Sequence, residues 1–176
     1  MKKLAISTLS AVAVLAALNT NALAADTGIV NFTGDIISPT CAVVPADGTY
    51  NVPLPAVSVA LLSSAGDTTD NIGFTISLTE CNTATNNVYA FFEAGPNVNA
   101  DGKLTNNGSA GNVAVELVDA NGNVINVGSE EQAANPATVA VSDGSASLSY
   151  SARYIATGAA TAGSIDTSVT YSIAYL

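Results

Sequence analysis

Residues 169–175 read Val-Thr-Tyr-Ser-Ile-Ala-Tyr and stand one residue before the end of the sequence. Large apolar side chains alternate here with small ones, and this period of two predicts a β-strand with one buried face. An uncovered strand of this kind would aggregate unless another strand paired with it. Two interpretations stay open: pairing within the chain's own sheet, or an edge that accepts a strand from outside. The buried face would comprise Val169, Tyr171, Ile173 and Tyr175.

A second strand-like stretch lies near the start of the sequence and reads Gly28-Ile-Val-Asn-Phe-Thr-Gly34. Gly28, Val30 and Phe32 share one face of an extended chain. The stretch carries no charge, and a glycine permits the close approach of a second backbone. The segment is therefore a candidate to pair as a strand with a neighbouring chain. Pairing within its own sheet fits the pattern equally well.

The sequence between these two ends continues the alternation, with interruptions at Gly, Asn, Asp and Pro. Prolines between residues 39 and 55 place that stretch in loops or at a sheet edge, and a helical turn is expected only around residues 55–64. About seven to nine short strands separated by turn signals predict a single all-β domain, an immunoglobulin-like β-sandwich. The predicted strands are 36–44, 74–81, 88–93, 113–118, 124–127, 137–141, 148–155 and 169–175.

The first 24 residues have the pattern of an export signal. A basic start, Met1-Lys-Lys3, precedes a mostly apolar run and the small-residue site Ala22-Leu-Ala24, which together predict a secretory signal peptide over residues 1–24. The apolar run is too short for a membrane-spanning helix, and no later segment is long and apolar enough for one. We therefore expect a mature chain that starts at Ala25 and leaves the cytoplasm.

Export bears on the two cysteines of the chain, Cys41 and Cys81. In an oxidising compartment a single pair most simply forms one structural disulfide. The alternative, two reactive thiols, would need a nearby cation to lower the pKa of one of them, and no basic residue is close in sequence.

Charge and residue inventory exclude several classes of function. Without residues 1–24, two cations, Lys103 and Arg153, stand against fourteen carboxylates, a formal charge of −12. Two cations cannot form a nucleic-acid-binding surface. The chain has no His and only two Cys, which excludes His-dependent catalytic triads, imidazole metal sites and four-cysteine metal centres. No cofactor and no enzymatic activity are expected.

The acidic motifs in the sequence are interpreted as a turn and as surface charges rather than as catalytic or metal-binding sites. Asp119-x-Asn121-x-Asn123 resembles the start of a calcium loop, but Val124 stands where that loop needs Gly, so a hairpin turn is predicted. The scattered Glu80, Glu93 and Glu116, and the pair Glu130-Glu131, are interpreted as surface charges rather than a glycosidase pair. Lys103 follows Gly102 and is expected in an exposed turn, which argues against an internal isopeptide bond.

Taken together, these segments resemble the major subunits of bacterial fimbriae assembled by the chaperone–usher pathway, close to the type 1 pilin group. The matching features are the Gly28–Gly34 segment before Cys41, the cysteine pair, and Ser151-Ala-Arg-Tyr-Ile-Ala-Thr-Gly-Ala-Ala-Thr-Ala-Gly163. Tyr175 also matches as a penultimate aromatic residue, and Gly163 as the fourteenth residue from the C-terminus. The likeness covers the whole chain after residue 24, and it is the combination of features that is specific.

The resemblance implies an incomplete immunoglobulin-like sandwich that lacks its last strand, with residues 25–36 as an N-terminal donor-strand extension and residues 37–176 as the pilin domain. An open apolar groove would run beside the C-terminal strand. Gly28, Val30 and Phe32 would face the groove of a neighbouring copy. The groove edge that pairs with a chaperone or another subunit would comprise Gly163, Val169, Tyr171, Ile173 and Tyr175.

The implied function is that of a structural subunit of an extracellular fimbrium that polymerises by donor-strand exchange and supports cell adhesion. Its partners would be a periplasmic chaperone, an outer-membrane usher and further copies of itself. Two alternatives stay open: a minor or adaptor fimbrial subunit with the same fold, and a monomeric secreted carbohydrate-binding β-sandwich with a complete sheet.

Overall fold

The structure is a computed structural model that describes residues 29–34, 41–82 and 85–176. The chain divides into two units, Met1–Ile37 and Ser38–Leu176. The predicted signal peptide and the first residues of the predicted extension, including Gly28, lie outside the described residues. Within residues 29–34 no strand is assigned, and Ile29, Val30 and Phe32 are 88%, 73% and 91% exposed.

The second unit is built almost entirely of β-structure. A short 3₁₀ helix covers Val59–Leu62 and a four-residue helix, α1, covers Glu131–Ala134. The described residues contain nine strands: β1 (Ala42–Val44), β2 (Ile72–Thr79), β3 (Asn87–Phe92), β4 (Leu104–Thr105), β5 (Val113–Val118), β6 (Val124–Ile125), β7 (Val139–Ala140), β8 (Ala146–Ala156) and β9 (Tyr171–Tyr175).

The strands form two antiparallel sheets. The larger sheet has the order β1-β2-β8-β5-β4, and β6 also pairs with β5. The smaller sheet has the order β7-β3-β9, which leaves β9 at an edge. The long strand β8 organises the larger sheet, since it pairs with β2 on one side and β5 on the other.

The hydrophobic core consists of side chains that alternate along the strands and point between the two sheets. Every second residue of β8, from Ala146 to Ala156, is buried. Tyr150 of β8 meets Phe92 of β3 edge to face, with ring centroids 5.0 Å apart. The Tyr150 hydroxyl accepts a hydrogen bond from the Ala90 N–H at 2.9 Å and donates to Ala90 O at 3.5 Å. The period of two therefore identifies the core face correctly.

Most sequence-based predictions of elements are confirmed, with differences at their ends. The disulfide joins Cys41 and Cys81, the 3₁₀ helix falls inside residues 55–64, and the Asp119 carboxylate accepts bonds from the N–H groups of Asn121 and Asn123 in a hairpin turn. The predicted strand at 36–44 is seen only as β1, because residues 35–40 are not described. The short β4 and α1 were not predicted, since neither spans enough residues to show a period.

Two predictions about charge are wrong. Glu116 is 3% exposed rather than a surface residue, and the Lys103 side chain is mostly covered. Glu116 Oε1 lies 2.6 Å from Lys103 Nζ, and Glu116 Oε2 accepts two bonds from Arg153, 2.7 Å from Nε and 2.5 Å from Nη2. The register of β5 on β8 places Glu116 opposite Arg153, so both cations of the chain after residue 24 neutralise one buried carboxylate.

This ion cluster makes stability depend on pH. Burial alone would raise the pKa of Glu116, but the hydrogen bonds and charges of Lys103 and Arg153 outweigh it and hold the pKa below its ordinary value of 4.5. A lowered folded-state pKa means that the stabilisation is complete above the unfolded-state pKa and is lost as the pH falls through the folded-state pKa.

We expect Glu116→Gln to reduce the free energy of unfolding at pH 7 by about 1.5–3 kcal/mol, because two partly covered cations, 18% and 24% exposed, lose their charged hydrogen-bond partner. The variant should also lose less stability than the wild type as the pH falls below 4.5. Urea unfolding between pH 7 and pH 3 measures both effects. Glu130→Gln, at an exposed carboxylate, is the matched control and should behave as wild type; equal stability of Glu116→Gln and wild type at pH 7 would contradict the assignment.

Candidate functional site

An open groove of about 1370 Å³ lies between the two sheets of the second unit. One side is formed by residues 165–173, here called the C-terminal wall. The other is formed by residues 48–54 of the segment 48–57, here called the proline wall. Apolar side chains of both sheets form the floor. The floor includes Phe74, Ile76, Phe92, Leu104, Val115 and Leu117.

The C-terminal wall pairs with its sheet on one side only. Leu176 exchanges two backbone bonds with Asn87, and the Glu93 N–H donates to Thr170 O at 2.8 Å. Since hydrogen-bonded and non-hydrogen-bonded pairs alternate in an antiparallel ladder, the even-numbered residues of β9 face β3. The backbone N–H and C=O groups of Tyr171 and Ile173 point the other way, and none of the described residues pairs with them.

The same alternation continues before β9 begins. The Asp166 carbonyl accepts from the Asn107 N–H at 2.8 Å, and the Ser168 carbonyl accepts from the Asn97 amide at 3.2 Å. The odd-numbered residues again have no backbone partner in the described chain. From residue 165 to residue 173 the wall therefore presents one continuous row of unpaired backbone groups, roughly 26 Å long at about 3.3 Å per residue.

The proline wall offers a second unpaired edge. Pro53 and Pro55 lack an N–H, and no backbone hydrogen bond is formed by residues 51–57 with any described residue. Alternate side chains, including Val52 and Leu54, turn toward the interior and line the groove. Tyr50 anchors the wall to the larger sheet, because its hydroxyl donates to Val44 O and accepts from the Ser77 N–H at 3.1 Å.

One tyrosine connects the two walls. The Tyr171 hydroxyl donates to Gly48 O at 3.1 Å, and its ring lies 6.2 Å from that of Tyr50. Burial, with smaller contributions from Tyr50 and Asp47, raises the pKa of Tyr171, so the phenol keeps the proton that it donates. The Tyr171 side chain therefore sets how far apart the walls stand at this end of the groove.

The structure places the sequence-predicted edge residues in three different environments. Val169, Tyr171 and Ile173 line the groove. The Tyr175 hydroxyl instead accepts from the Cys41 N–H at 3.3 Å, beside the disulfide. Gly163 is not a lining residue: it packs so closely on residues 109–110 that a Cβ would lie 2.3 Å from the Ala110 nitrogen.

Sequence reasoning missed the proline wall, which supplies a whole side of the groove. The signal was present, because Tyr50, Val52 and Leu54 alternate with smaller or polar residues. The prolines between them obscured the pattern, since proline is normally read as a strand breaker.

The groove is suited to binding an extended polypeptide chain. Two rows of unpaired backbone donors and acceptors flank an apolar floor, which is what an inserted β-strand satisfies with its own backbone and alternate side chains. In the described part of the chain, no three His, Cys, Asp or Glu residues are grouped to hold a metal ion. No helix among the described residues is long and apolar enough to cross a membrane.

An antiparallel two-sheet sandwich with one strand position vacant is an incomplete immunoglobulin-like β-sandwich, the fold of pilin domains. Comparison with a subunit of a chaperone–usher pilus rod supports this, with a TM-score of 0.60 at 22% identity over 85% of this chain and 96% of that one. The predicted all-β, incomplete immunoglobulin-like sandwich is thus confirmed, whereas the N-terminal donor-strand extension stays a prediction.

Sequence comparison identifies the family. Residues 30–175 match the Fimbrial protein family. The chain is 40% identical to the F17 fimbrial protein of Escherichia coli, covering 92% of this chain and 94% of that protein. It is 38% identical to the major fimbrial subunit SMF-1 of Stenotrophomonas maltophilia strain K279a, covering 92% and 99%. The chain belongs to the fimbrial protein family, whose members are structural proteins.

We expect Tyr171→Phe to lower the free energy of unfolding by about 1 kcal/mol, because it removes the hydrogen bond that joins the two walls. Urea unfolding at neutral pH measures the change. Tyr89→Phe is the matched control, since Tyr89 lies in β3 and none of the hydrogen bonds of the described residues involves its hydroxyl. A Tyr171→Phe chain as stable as the control would show that the wall-to-wall bond does not stabilise the fold.

Proposed function

We propose that this chain is a structural subunit of an extracellular fimbrium and that it polymerises by donor-strand exchange. Residues 25–36 of one copy insert into the groove of the next copy as the missing strand. The observation that carries the proposal is the pair of unpaired backbone edges, at residues 165–173 and 51–57, on either side of an apolar floor.

The composition of the N-terminal segment suits that groove. Val30 and Phe32 are 73% and 91% exposed, which is unfavourable for apolar side chains unless a partner covers them. They lie on the same face of an extended chain, so both can reach one floor. Burial contributes about 1.5–3 kcal/mol for each such side chain, and the inserted backbone pairs with the open edges on both sides.

Before insertion the empty groove promotes aggregation, because it is an apolar cleft flanked by unpaired strand edges. A temporary occupant is therefore required between export and assembly. We assign this role to a periplasmic chaperone that supplies a strand of its own, and the exchange step to an outer-membrane usher. The likeness to a chaperone–usher pilus subunit and the predicted signal peptide over residues 1–24 support this route.

The two alternatives differ in how the groove is used. A minor or adaptor subunit would polymerise through the same groove, so the geometry does not favour it over a major subunit, and support of cell adhesion follows from either. A monomeric carbohydrate-binding module would need a complete sheet, and the open edge of β9 counts against it. The relatives named as fimbrial proteins point the same way.

A mixing experiment with two single variants tests the mechanism. Phe32→Asp puts a charge on the inserting face and should stop a chain from donating its strand, while Val169→Asp puts one into the groove and should stop a chain from accepting. Each variant alone should remain monomeric. When they are mixed, the intact segment of one should enter the intact groove of the other and give a one-to-one dimer that grows no further, as measured by size-exclusion chromatography with light scattering.

Asn31→Asp is the control, because it adds the same charge to the same segment on the opposite face, and this chain should still polymerise. Two results would overturn the proposal: a wild-type chain that stays monomeric at high concentration, or a mixture of the two variants that forms no dimer although both are folded. Either result would favour a complete, monomeric binding module.

A further inference from the structure

The C-terminal wall is held in two different ways along its length. Residues 170–176 are fixed by the ladder between β9 and β3. The Glu93–Thr170 bond is the last of that ladder, so residues 164–168, here called the distal segment, have no neighbouring strand. Residues 165–168 of the distal segment nevertheless line the groove and continue the row of unpaired backbone groups.

The loop at residues 106–110 takes the place of the missing strand: the Asn107 and Ala110 N–H groups donate to Asp166 O and Ser164 O at 2.8 and 3.0 Å, and the Asn106 side chain adds further bonds. The Asn106 amide makes four hydrogen bonds, and two of them go to the distal segment. Its Oδ1 accepts from the Asp166 N–H at 2.8 Å and its Nδ2 donates to Ser164 O at 3.1 Å. The other two close its own loop, from the Gly108 N–H at 2.9 Å and to Ala110 O at 2.9 Å. The loop and its Asn106 side chain together thus imitate a ladder partner for the even-numbered backbone groups of the distal segment.

The loop at residues 108–110 also packs closely against the distal segment. A Cβ on Gly108 would lie 2.3 Å from Ser164 O, so the loop and the distal segment meet backbone to backbone. The Ser109 and Ser164 hydroxyl groups lie 3.2 Å apart and each also accepts from the other residue's N–H. With the even-numbered groups occupied, the backbone of Ile165 and Thr167 is turned toward the groove.

The distal part of the groove also differs chemically from the rest. The Thr167 hydroxyl is buried and is the one buried side-chain polar atom without a hydrogen-bond partner among the described residues. A buried hydroxyl without a partner is costly, and Thr167 lines the groove. A strand that extends this far would bring backbone groups close to that hydroxyl.

We propose that Asn106 is a positioning residue for strand capture, which holds the distal segment so that the groove grips an incoming strand along residues 165–169 as well as along β9. This inference rests on the proposed function, because it assigns a residue to the same groove. It predicts that two parts of the C-terminal wall hold the inserted strand independently. Pairing with β3 positions β9, and Asn106 positions the distal segment.

Hydrogen exchange measured by mass spectrometry on the full chain tests this, with wild type, Asn106→Ala and Asn121→Ala each compared before and after assembly. Asn121→Ala is the matched control, since that exposed side chain makes no hydrogen bond with the described residues. In assembled wild type, peptides covering 164–169 and 170–176 should both be protected. In assembled Asn106→Ala, exchange at 164–169 should be at least roughly tenfold faster, the effect of losing one or two hydrogen bonds, with 170–176 unchanged.

A failure of Asn106→Ala to assemble also supports the inference if the unassembled variant keeps wild-type protection at 170–176 and loses it at 164–169. Wild-type protection of 164–169 in the assembled variant would overturn it, and so would a uniform loss of protection before assembly, which would mean that Asn106 serves folding as a whole. A wild-type chain that never assembles refutes the proposed function instead. In that case the unassembled chains alone show whether Asn106 holds the distal segment, by the exchange rate at 164–169.

Discussion

The unpaired edge of β9 is the constraint on which the rest of this structure depends. Backbone N–H and C=O groups that line an apolar cleft must find partners, and this chain leaves a row of them open between residues 165 and 173. The proline wall faces the same requirement from the other side of the groove. In the function proposed above, a strand from another chain completes this sandwich.

The two sheets differ in how they contribute to the open groove. In the larger sheet β8 is paired along both sides, and the Lys103–Glu116–Arg153 cluster joins β5 to β8 and to the residue before β4. The smaller sheet carries the open edge. Because both cations are committed to Glu116, the remaining carboxylates of the described residues have no cationic side chain to pair with. Because copies of this acidic chain repel one another, backbone pairing and apolar burial would hold them together in the proposed polymer.

Much of this architecture could be predicted from local pattern. A period of two located the strands and the core face of β8, and the same alternation placed Val169, Tyr171, Ile173 and Tyr175 on one face. The family resemblance implied that this face borders a groove, and the first three residues line it whereas Tyr175 does not. An export signal with two cysteines pointed to the Cys41–Cys81 disulfide. Strand alternation involves residues near one another in sequence, and disulfide formation follows from the expected compartment. Both can therefore be predicted from a single sequence. Gly163 shows the limit, because its close approach to residues 109–110 belongs to loop packing rather than to the strand alternation.

The sequence by itself predicted a disulfide-bonded β-sandwich with an export signal and with strand-like segments at both ends. Only the tertiary structure decided which edge stays open, that Glu116 is buried between two cations, and that the loop at residues 106–110, with the Asn106 side chain, takes the place of a strand beside the distal segment. The physical reason is distance along the chain. Arg153 is 37 residues from Glu116, and Asp166 is 60 residues from Asn106, so strand register and loop packing, which no local period encodes, bring these groups together.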